Sequence, residues 1–242
     1  MTKCVAIGRT PFLRSHVVRA FLWNAVFLLL ALLFGRIKYE VSDDFVMESI
    51  LAGAYNGEPN PYMMFVSVFL GYLLKSFYIL FPQVSWYLIG LLLTAYLSLT
   101  AITYVIIKRT KGVSAAFLSC LLLCVFSNDV YILVQFTKTA ALAVAGGGML
   151  YLWGEFGSHS RKERWLGALL LLLGILIRYY SFFIVAPFLF LMVLFEVRKF
   201  WEKRNPEERK ADFHKLYGIL LRGLLLLGAV FCLRGQIGRA HV

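Results

Sequence analysis

The chain has 242 residues, of which 60% are hydrophobic, and its mean hydropathy is +0.75. A soluble domain of this size could not bury so much apolar surface, so we predict an all-α, polytopic transmembrane bundle of about six to seven spans. The net charge of +12 requires no nucleic acid, because the Lys and Arg residues collect in loops that can face the cytoplasm and contact anionic membrane lipid.

The first apolar run covers about 17–35 and follows a basic segment that contains no acidic residue. This charge pattern places the amino terminus in the cytoplasm. The run ends without a small-residue cleavage pattern, so we predict an uncleaved span rather than a signal peptide. Further spans are predicted at about 86–107, 112–126, 131–153, 165–177, 182–197 and 216–233.

An acidic, turn-rich segment lies in the outer loop predicted at 36–85. Ser42 or Asp43 can cap a short helix that lies along the membrane surface, with Asp44 and Glu48 one turn apart on its polar face. The like charges of Asp44 and Glu48 cost helix stability at this spacing, which indicates that the acidic residues have a use. We interpret the pair Asp43 and Asp44 as the functional residues. Helix capping alone is the alternative interpretation.

The next helix, 61–81, is long enough to span but carries a polar stripe that includes Lys75. If it crossed the bilayer, three later basic loops would face outward, against the positive-inside rule. An interfacial position returns all three loops to the cytoplasm, so we predict that this helix lies in the outer interface.

Charged and polar residues recur at the later outer turns. Asp129 lies in one turn, and Gln135 and Lys138 follow it in the returning helix, where a charge is costly without a partner. Lys138 either contacts a ligand or reaches to the interface. Arg178, among aromatic residues at another outer turn, either clamps a phosphate or anchors the helix.

The remaining motifs predict structure rather than chemistry. Gly146, Gly147 and Gly148 favour close helix packing over phosphate binding, because no strand precedes them. The four cysteines lack a ligand-like spacing to histidine, so we predict neither a disulfide framework nor a metal site. No cofactor is expected; a divalent metal is compatible with the sequence but nothing indicates one.

The layout resembles the GT-C superfamily of membrane glycosyltransferases. The matching features are Ser42-Asp43-Asp44 after the first span, the interfacial helix that ends at Phe81-Pro82, Asp129 in the next outer turn, and Gly174-Ile175-Leu176-Ile177-Arg178, which is similar to a Gly-x-x-x-basic helix ending. The segment SDDFVMESILAGAYNGEPNPYMMF also looks like uncharacterised bacterial members of that superfamily.

The resemblance implies an inverting enzyme of the bacterial plasma membrane that moves a sugar from a polyprenyl-phosphate donor to a cell-envelope acceptor at the extracytoplasmic face. It implies that Asp43 or Asp44 is the general base. Lys75, Lys138 or Arg178 would then stabilise the departing phosphate. From their positions at the outer turn, we also predict that Asp129 and Gln135 contribute to substrate or phosphate binding.

Two alternatives belong to other classes. A transporter or lipid flippase would line a polar path with Lys75, Lys138 and Arg178, although the sequence shows no internal repeat. A polysaccharide polymerase of another fold would depend on outer-loop arginines more than on an early Asp pair. The sugar, the acceptor and the oligomeric state are not specified by the sequence.

The carboxyl end has an unusual feature. Residues 237–242, IGRAHV, are what the first codons of a common sequencing-library adapter encode, so we expect them to be a read-through artefact and the natural protein to continue. On that expectation the GT-C-like domain, 1–236, is incomplete, lacks part of the acceptor site and can be inactive in this form.

Overall fold

The computed structural model describes residues 15–55, 57–110, 112–202 and 228. The α-helices of these residues are α1 (His16–Phe34), α2 (Ser42–Leu51), α3 (Val68–Leu80), α4 (Trp86–Arg109), α5 (Val113–Ser127), α6 (Phe136–Leu152), α7 (Arg161–Ile177) and α8 (Tyr179–Glu202). Strands β1 (Lys38–Tyr39) and β2 (Leu133–Val134) and two π-helical turns, Asn128–Ile132 and Trp153–Gly157, connect them. The predicted all-α membrane bundle is confirmed. The predicted span 216–233 and the segment 237–242 lie outside the described residues.

Among the residues that the structure describes, four helical segments are long and apolar enough to cross a membrane: His16–Phe34, Trp86–Arg109, Val113–Ile132 and Tyr179–Arg198. Within the most apolar window of α4, 61% of the residues are buried inside the bundle, against 17% in α1 and 6% in α8. Helix α4 is therefore more central than α1 and α8, whose exposed apolar faces suit contact with lipid. The chain is a multi-pass membrane protein.

Helices α6 and α7 approach each other through glycine. A Cβ atom added to Gly147 would lie 2.4 Å from the backbone nitrogen of Leu171, and one added to Gly167 would lie 2.5 Å from that of Tyr151. Against α4, a Cβ atom on Gly146 would lie 2.7 Å from the carbonyl oxygen of Ser98. The glycine run thus allows close helix packing, as the sequence predicted.

Contacts between helix termini define two ends of the bundle. At the basic end, Arg109 at the end of α4 pairs with Glu196 of α8, and Arg164 at the start of α7 pairs with Glu155. At the opposite, acidic end, the segment after α1 meets the starts of α4 and α6 and the end of α7. We call the latter the acidic end because it carries Glu40, Asp43, Asp44, Glu48 and Asp129.

Helices α2 and α3 cover the acidic end. Their buried residues join a core cluster with α4, α6 and α7 that includes Met47, Leu74 and Tyr87. Helix α3 has 13 residues, about 20 Å at 1.5 Å per residue, which is less than the roughly 30 Å of hydrocarbon in a bilayer. Its length therefore suits a position at the membrane surface better than a span.

The sequence predicted that this surface helix begins at Pro61, but α3 begins at Val68. Residues 61–67 instead run as irregular chain, from which Met63 and Val66 are buried in the core cluster. The backbone NH of Ser67 donates to the carbonyl oxygen of Leu176, 2.9 Å away. Tertiary contacts of this segment thus replace the helical turns that its local sequence favoured.

Candidate active site at the acidic end

A short parallel strand pair assembles the acidic end. Strand β1 follows α1 and pairs with β2, which precedes α6, so that Lys38 aligns with Leu133 and Tyr39 with Val134. The backbone NH of Glu40 extends the pairing by donating to the carbonyl oxygen of Val134, 3.0 Å away. The pairing therefore holds the acidic segment after α1 against the start of α6.

Asp44 lies in the first turn of α2, and its side chain is fully buried. Its Oδ1 accepts hydrogen bonds from the Tyr87 hydroxyl at 2.7 Å and the Phe136 backbone NH at 3.1 Å. Its Oδ2 is also buried, and no described residue donates to it. Asp44 therefore fastens α2 to the first turns of α4 and α6.

This burial corrects the expectation that Asp44 and Glu48 share an exposed polar face. Asp44, Met47 and Leu51 are the buried residues of α2 and follow one another at helical spacing on one face. The donors that make burial of the carboxylate tolerable lie 43 and 92 residues further along the chain. Local periodicity cannot reveal partners at such separations.

The surroundings of Asp44 raise its pKa from 3.8 to about 6. Burial is the main cause, and the negative charges of Asp43 and Glu40 add to it. The hydrogen bonds from Tyr87 and Phe136 act in the opposite direction, because they stabilise the charged form. Asp44 thus titrates much closer to neutral pH than an exposed aspartate.

Asp43 occupies the same first turn of α2, but its side chain lies on a different face of the helix from that of Asp44. Its side chain is half-buried and makes no hydrogen bond or salt bridge with the described residues. A helix advances about 100° per residue, so neighbouring side chains diverge. Of the two predicted catalytic acids, Asp43 is therefore the more exposed.

Glu48 ties α2 to α3 and the turn before α4. It accepts hydrogen bonds from the hydroxyls of Tyr39 at 2.8 Å and Tyr78 at 3.3 Å, and from the hydroxyl of Ser85. Burial raises the pKa of Tyr78 to about 12, so its hydroxyl stays protonated as a donor. The sequence places Tyr78 on the polar stripe of the predicted helix 61–81, but it did not indicate that Tyr39 and Tyr78 would both contact Glu48.

Lys138 is held between two acidic residues. Its Nζ lies 2.6 Å from the Glu40 carboxylate and 3.8 Å from that of Asp129. It also donates to the carbonyl oxygen of Asp129, 3.3 Å away. The structure thus brings the predicted residues Lys138 and Asp129 together, and supplies Glu40 as a partner that the sequence did not indicate.

Arg178 follows the last turn of α7 and lies beside two aromatic rings. Its guanidinium carbon is 4.8 Å from the centre of the Phe136 ring and 5.5 Å from that of Phe65. It donates a hydrogen bond to the Thr137 hydroxyl. Within the described ranges no carboxylate lies within salt-bridge distance of this half-buried cation. Cation–π contacts position Arg178 without neutralising its charge.

Phe65 reaches Arg178 from a strained backbone. Its φ angle is 67°, in the region where residues other than glycine are uncommon. Its ring stacks on Phe136 with 5.9 Å between centres. Strained residues of this kind often cluster at functional sites, and here the strain places an aromatic ring against the uncompensated cation. Nothing in the local sequence marks Phe65 for this conformation.

The two other predicted ligands are less closely integrated. Lys75 is half-buried on α3, and Gln135 immediately precedes α6. In the part of the chain that the structure describes, neither side chain makes a hydrogen bond or salt bridge to the other residues of the site. In the same residues, no three His, Cys, Asp or Glu side chains lie together in a way that could hold a metal ion.

The bundle and its acidic end define a class of protein. Several apolar helices, with an acidic loop of short helices after the first of them, are consistent with the arrangement of GT-C membrane glycosyltransferases. The family model of the dolichyl-phosphate-mannose-protein mannosyltransferases matches residues 58–207, more than half of the chain. The chain belongs to this GT-C family.

The matched range contains α3 to α8 and Arg178 but begins after Asp43 and Asp44. The family match therefore covers most of the bundle and does not include the acidic pair. No curated protein and no solved structure matches the chain.

Proposed function

We propose that this protein transfers a sugar from a polyprenyl-phosphate donor to a cell-envelope acceptor, at the acidic end of the bundle and on the extracytoplasmic side of a bacterial plasma membrane. One observation carries the proposal: the accessible acid Asp43 and the uncompensated cation Arg178 belong to the same end of a GT-C bundle. A general base and a phosphate ligand are the two groups that this transfer requires.

The charge distribution supports this orientation. Lys108, Arg109, Arg161, Lys162 and Arg164 lie at the basic end, whereas Asp43, Asp44 and Glu48 lie at the other. Basic loops remain in the cytoplasm because the positive-inside rule governs membrane insertion. The acidic end is then extracytoplasmic, where a lipid-linked donor and an envelope acceptor can meet.

In the proposed reaction, Asp43 accepts the proton of an acceptor hydroxyl as the hydroxyl oxygen attacks the anomeric carbon. A bond forms between that oxygen and the anomeric carbon on one face of the sugar. The bond from the anomeric carbon to the phosphate oxygen breaks on the opposite face, and its electron pair leaves with the phosphate. A single displacement of this kind inverts the anomeric configuration.

Arg178 would contact the phosphate, which gains negative charge as the glycosidic bond breaks. Its guanidinium can donate two parallel hydrogen bonds to phosphate oxygens. Lys75 is the second candidate for this contact, because it too lacks a carboxylate partner among the described residues. We assign Lys138 and Asp129 to holding the start of α6, and Gln135 to the rim of the site.

The release of polyprenyl phosphate tests the proposal whichever sugar and acceptor the enzyme uses. The protein in nanodiscs would receive short synthetic polyprenyl-phosphate hexoses together with an envelope glycan extract, and the released lipid phosphate would be quantified by mass spectrometry. We expect release that depends on both donor and acceptor. A folded protein that releases lipid phosphate from none of the donors would contradict the proposal.

The orientation has its own test. Ser42→Cys at the acidic end and Lys162→Cys at the basic end, each introduced after replacement of the native cysteines, would be exposed to a membrane-impermeant maleimide on intact spheroplasts. We expect labelling of the first variant before permeabilisation and of the second only afterwards. The reverse pattern would place the acidic end in the cytoplasm.

A further inference from the structure

A concave site lies at the carboxyl end of α2, and neither Asp43 nor Arg178 lines it. It is a cavity of about 250 Å³ lined by Ile50, Tyr55, Glu58, Asn60 and Tyr62. The lining thus presents two aromatic rings, one carboxylate and one amide. Pockets of this kind, with a few convergent polar groups, are typical of ligand sites.

The loop that forms the cavity is held by its own backbone. Gly53 and Gly57 adopt φ angles of 81° and 78°, and the NH of Gly57 donates to the carbonyl oxygen of Gly53 at 2.8 Å. The NH of Asn60 donates to the carbonyl oxygen of Ile50, 3.2 Å away. These bonds hold the described residues on either side of position 56 against the end of α2, which favours a preorganised cavity lining.

The polar groups of the cavity are available for a ligand. Oδ1 of Asn60 accepts the backbone NH of Tyr62 at 3.0 Å, which fixes the amide and leaves its NH₂ group free to donate. Glu58 is exposed and makes no salt bridge within the described ranges. The cavity therefore offers both a donor and an acceptor for hydroxyl groups.

The aromatic residues supply the complementary apolar surface. Tyr55 is 65% exposed and Tyr62 is 51% exposed, and the Tyr62 hydroxyl is held 3.2 Å from that of Tyr72. The negative face of an aromatic ring attracts the weakly positive C–H groups on one face of a pyranose. Together with Glu58 and Asn60, these rings match a sugar that is apolar on one face and hydroxylated at its edge.

We propose that this cavity is a pyranose-binding subsite for the acceptor. Ile50 lies seven residues beyond Asp43 on the same helix, a rise of about 10 Å, which is roughly the length of a disaccharide. A sugar bound in the cavity therefore lies beyond the acceptor sugar that reacts at Asp43. The subsite selects an acceptor that is itself a glycan of two or more units. This inference rests on the proposed function.

Exposed tyrosines near a membrane also serve as interfacial anchors. Phe69 provides the matched control, because it is an exposed aromatic residue of the adjacent helix α3, 67% exposed, and does not line the cavity. If the exposed rings only anchor the protein in the interface, Tyr55→Ala and Phe69→Ala should change sugar binding to a similar extent. If the cavity is a sugar subsite, only Tyr55→Ala of these two variants should weaken sugar binding.

Saturation-transfer NMR with the full chain in nanodiscs tests the subsite. The probes are methyl hexosides and hexose disaccharides, with wild type compared with Tyr55→Ala, Tyr55→Phe, Glu58→Gln and Phe69→Ala. We expect transfer to the pyranose ring protons in wild type, Tyr55→Phe and Phe69→Ala. Binding by Tyr55→Ala and Glu58→Gln should weaken roughly 3- to 10-fold. No transfer in wild type, or equal transfer in every variant, would overturn the subsite.

A competition experiment identifies the source of the sugar. An added polyprenyl-phosphate hexose should leave the disaccharide signal unchanged, because the donor would bind elsewhere; displacement would assign the cavity to the donor and overturn the acceptor assignment. Binding is measured without turnover, so it is independent of the reaction. Saccharide binding without release of lipid phosphate would refute the proposed transfer, whereas release without saccharide binding would refute the subsite alone.

Discussion

The two ends of the bundle use their charges differently. At the basic end, Glu155 pairs with Arg164 at 2.7 Å and Glu196 pairs with Arg109 at 2.6 Å. Glu163 accepts hydrogen bonds from the hydroxyls of Tyr104 and Ser158. Each of these three carboxylates thus has a partner inside the protein, as expected of residues that hold helices together.

At the acidic end, several groups are left without such a partner. Asp43 and Arg178 form no salt bridge among the described residues, and Oδ2 of Asp44 is buried without a donor. A buried carboxylate oxygen without a donor reduces stability, so its presence in Asp44 indicates a use that compensates for the cost. The three carboxylates named at the basic end hold helices together, whereas Asp43 at the acidic end is not engaged by another described residue.

The largest difference between the two ends is expected from their arginines. Arg178→Gln should lower the rate of lipid-phosphate release roughly 10²- to 10³-fold, because the departing phosphate loses a preorganised donor. Arg109→Gln should leave the rate unchanged and lower stability instead, since it leaves Glu196 unpaired. Both rates come from the mass-spectrometric assay in nanodiscs. Equal rates in the two variants would remove the distinction between the ends.

Asp44 should give the acidic end a pH-dependent stability. Its pKa is about 6 in the folded state and near 3.8 when unfolded, so the folded state binds more protons between these values. Stability therefore falls as pH rises from about 4 to 6, by up to about 3 kcal/mol, and the loss is complete above that window. Asp44→Asn should lack this fall in unfolding experiments in detergent micelles. If the free energy of unfolding depended on pH in the same way for wild type and Asp44→Asn, this prediction would be refuted.

The close contact between α6 and α7 should tolerate no added methyl group. Gly147→Ala should destabilise the bundle by about 1–3 kcal/mol, because its Cβ atom would meet backbone rather than a flexible side chain. Gly90→Ala is the control, since its Cβ atom would lie 3.7 Å from Leu74 in ordinary contact. Thermal unfolding of both variants measures the difference. A Gly147→Ala protein as stable as Gly90→Ala would mean that the helices are further apart.

The smallest change in the rate of lipid-phosphate release is expected from substitution of Lys138. It is engaged by Glu40 and Asp129 in partly exposed salt bridges, which contribute only about 0.2–1 kcal/mol after solvent screening. We expect Lys138→Gln to change the release rate less than about threefold, because the side chain already has carboxylate partners. A loss comparable to that of Arg178→Gln would instead make Lys138 the phosphate ligand.

Much of the bundle could be predicted from the sequence because lipid imposes simple rules. The apolar runs at 17–35 and 86–107 correspond closely to α1 and α4, since a span requires a fixed number of apolar residues. The glycine triple likewise indicated close packing, although it did not specify the partner helix. These features depend on local composition, which the sequence displays directly.

The details of the site depend on distant contacts and could not be predicted in the same way. Asp44 is buried because Tyr87 and Phe136 reach it from two other helices, and Glu48 is engaged because Tyr39 and Tyr78 converge on it. Helix α3 begins at Val68 rather than Pro61 for a similar reason. Periodicity identifies the face of a helix, but it does not specify which donors the fold will bring to that face.

The most direct test of sugar transfer at the acidic end is the release of polyprenyl phosphate by Asp43→Asn, with Asp44→Asn measured beside it. We predict that Asp43→Asn lowers the rate roughly 10²- to 10⁴-fold, because the acceptor hydroxyl loses its base. Asp44→Asn should keep most of the activity, since its amide oxygen can still accept from Tyr87 and Phe136. Full activity in Asp43→Asn would contradict the assignment of the acidic end as the site of sugar transfer.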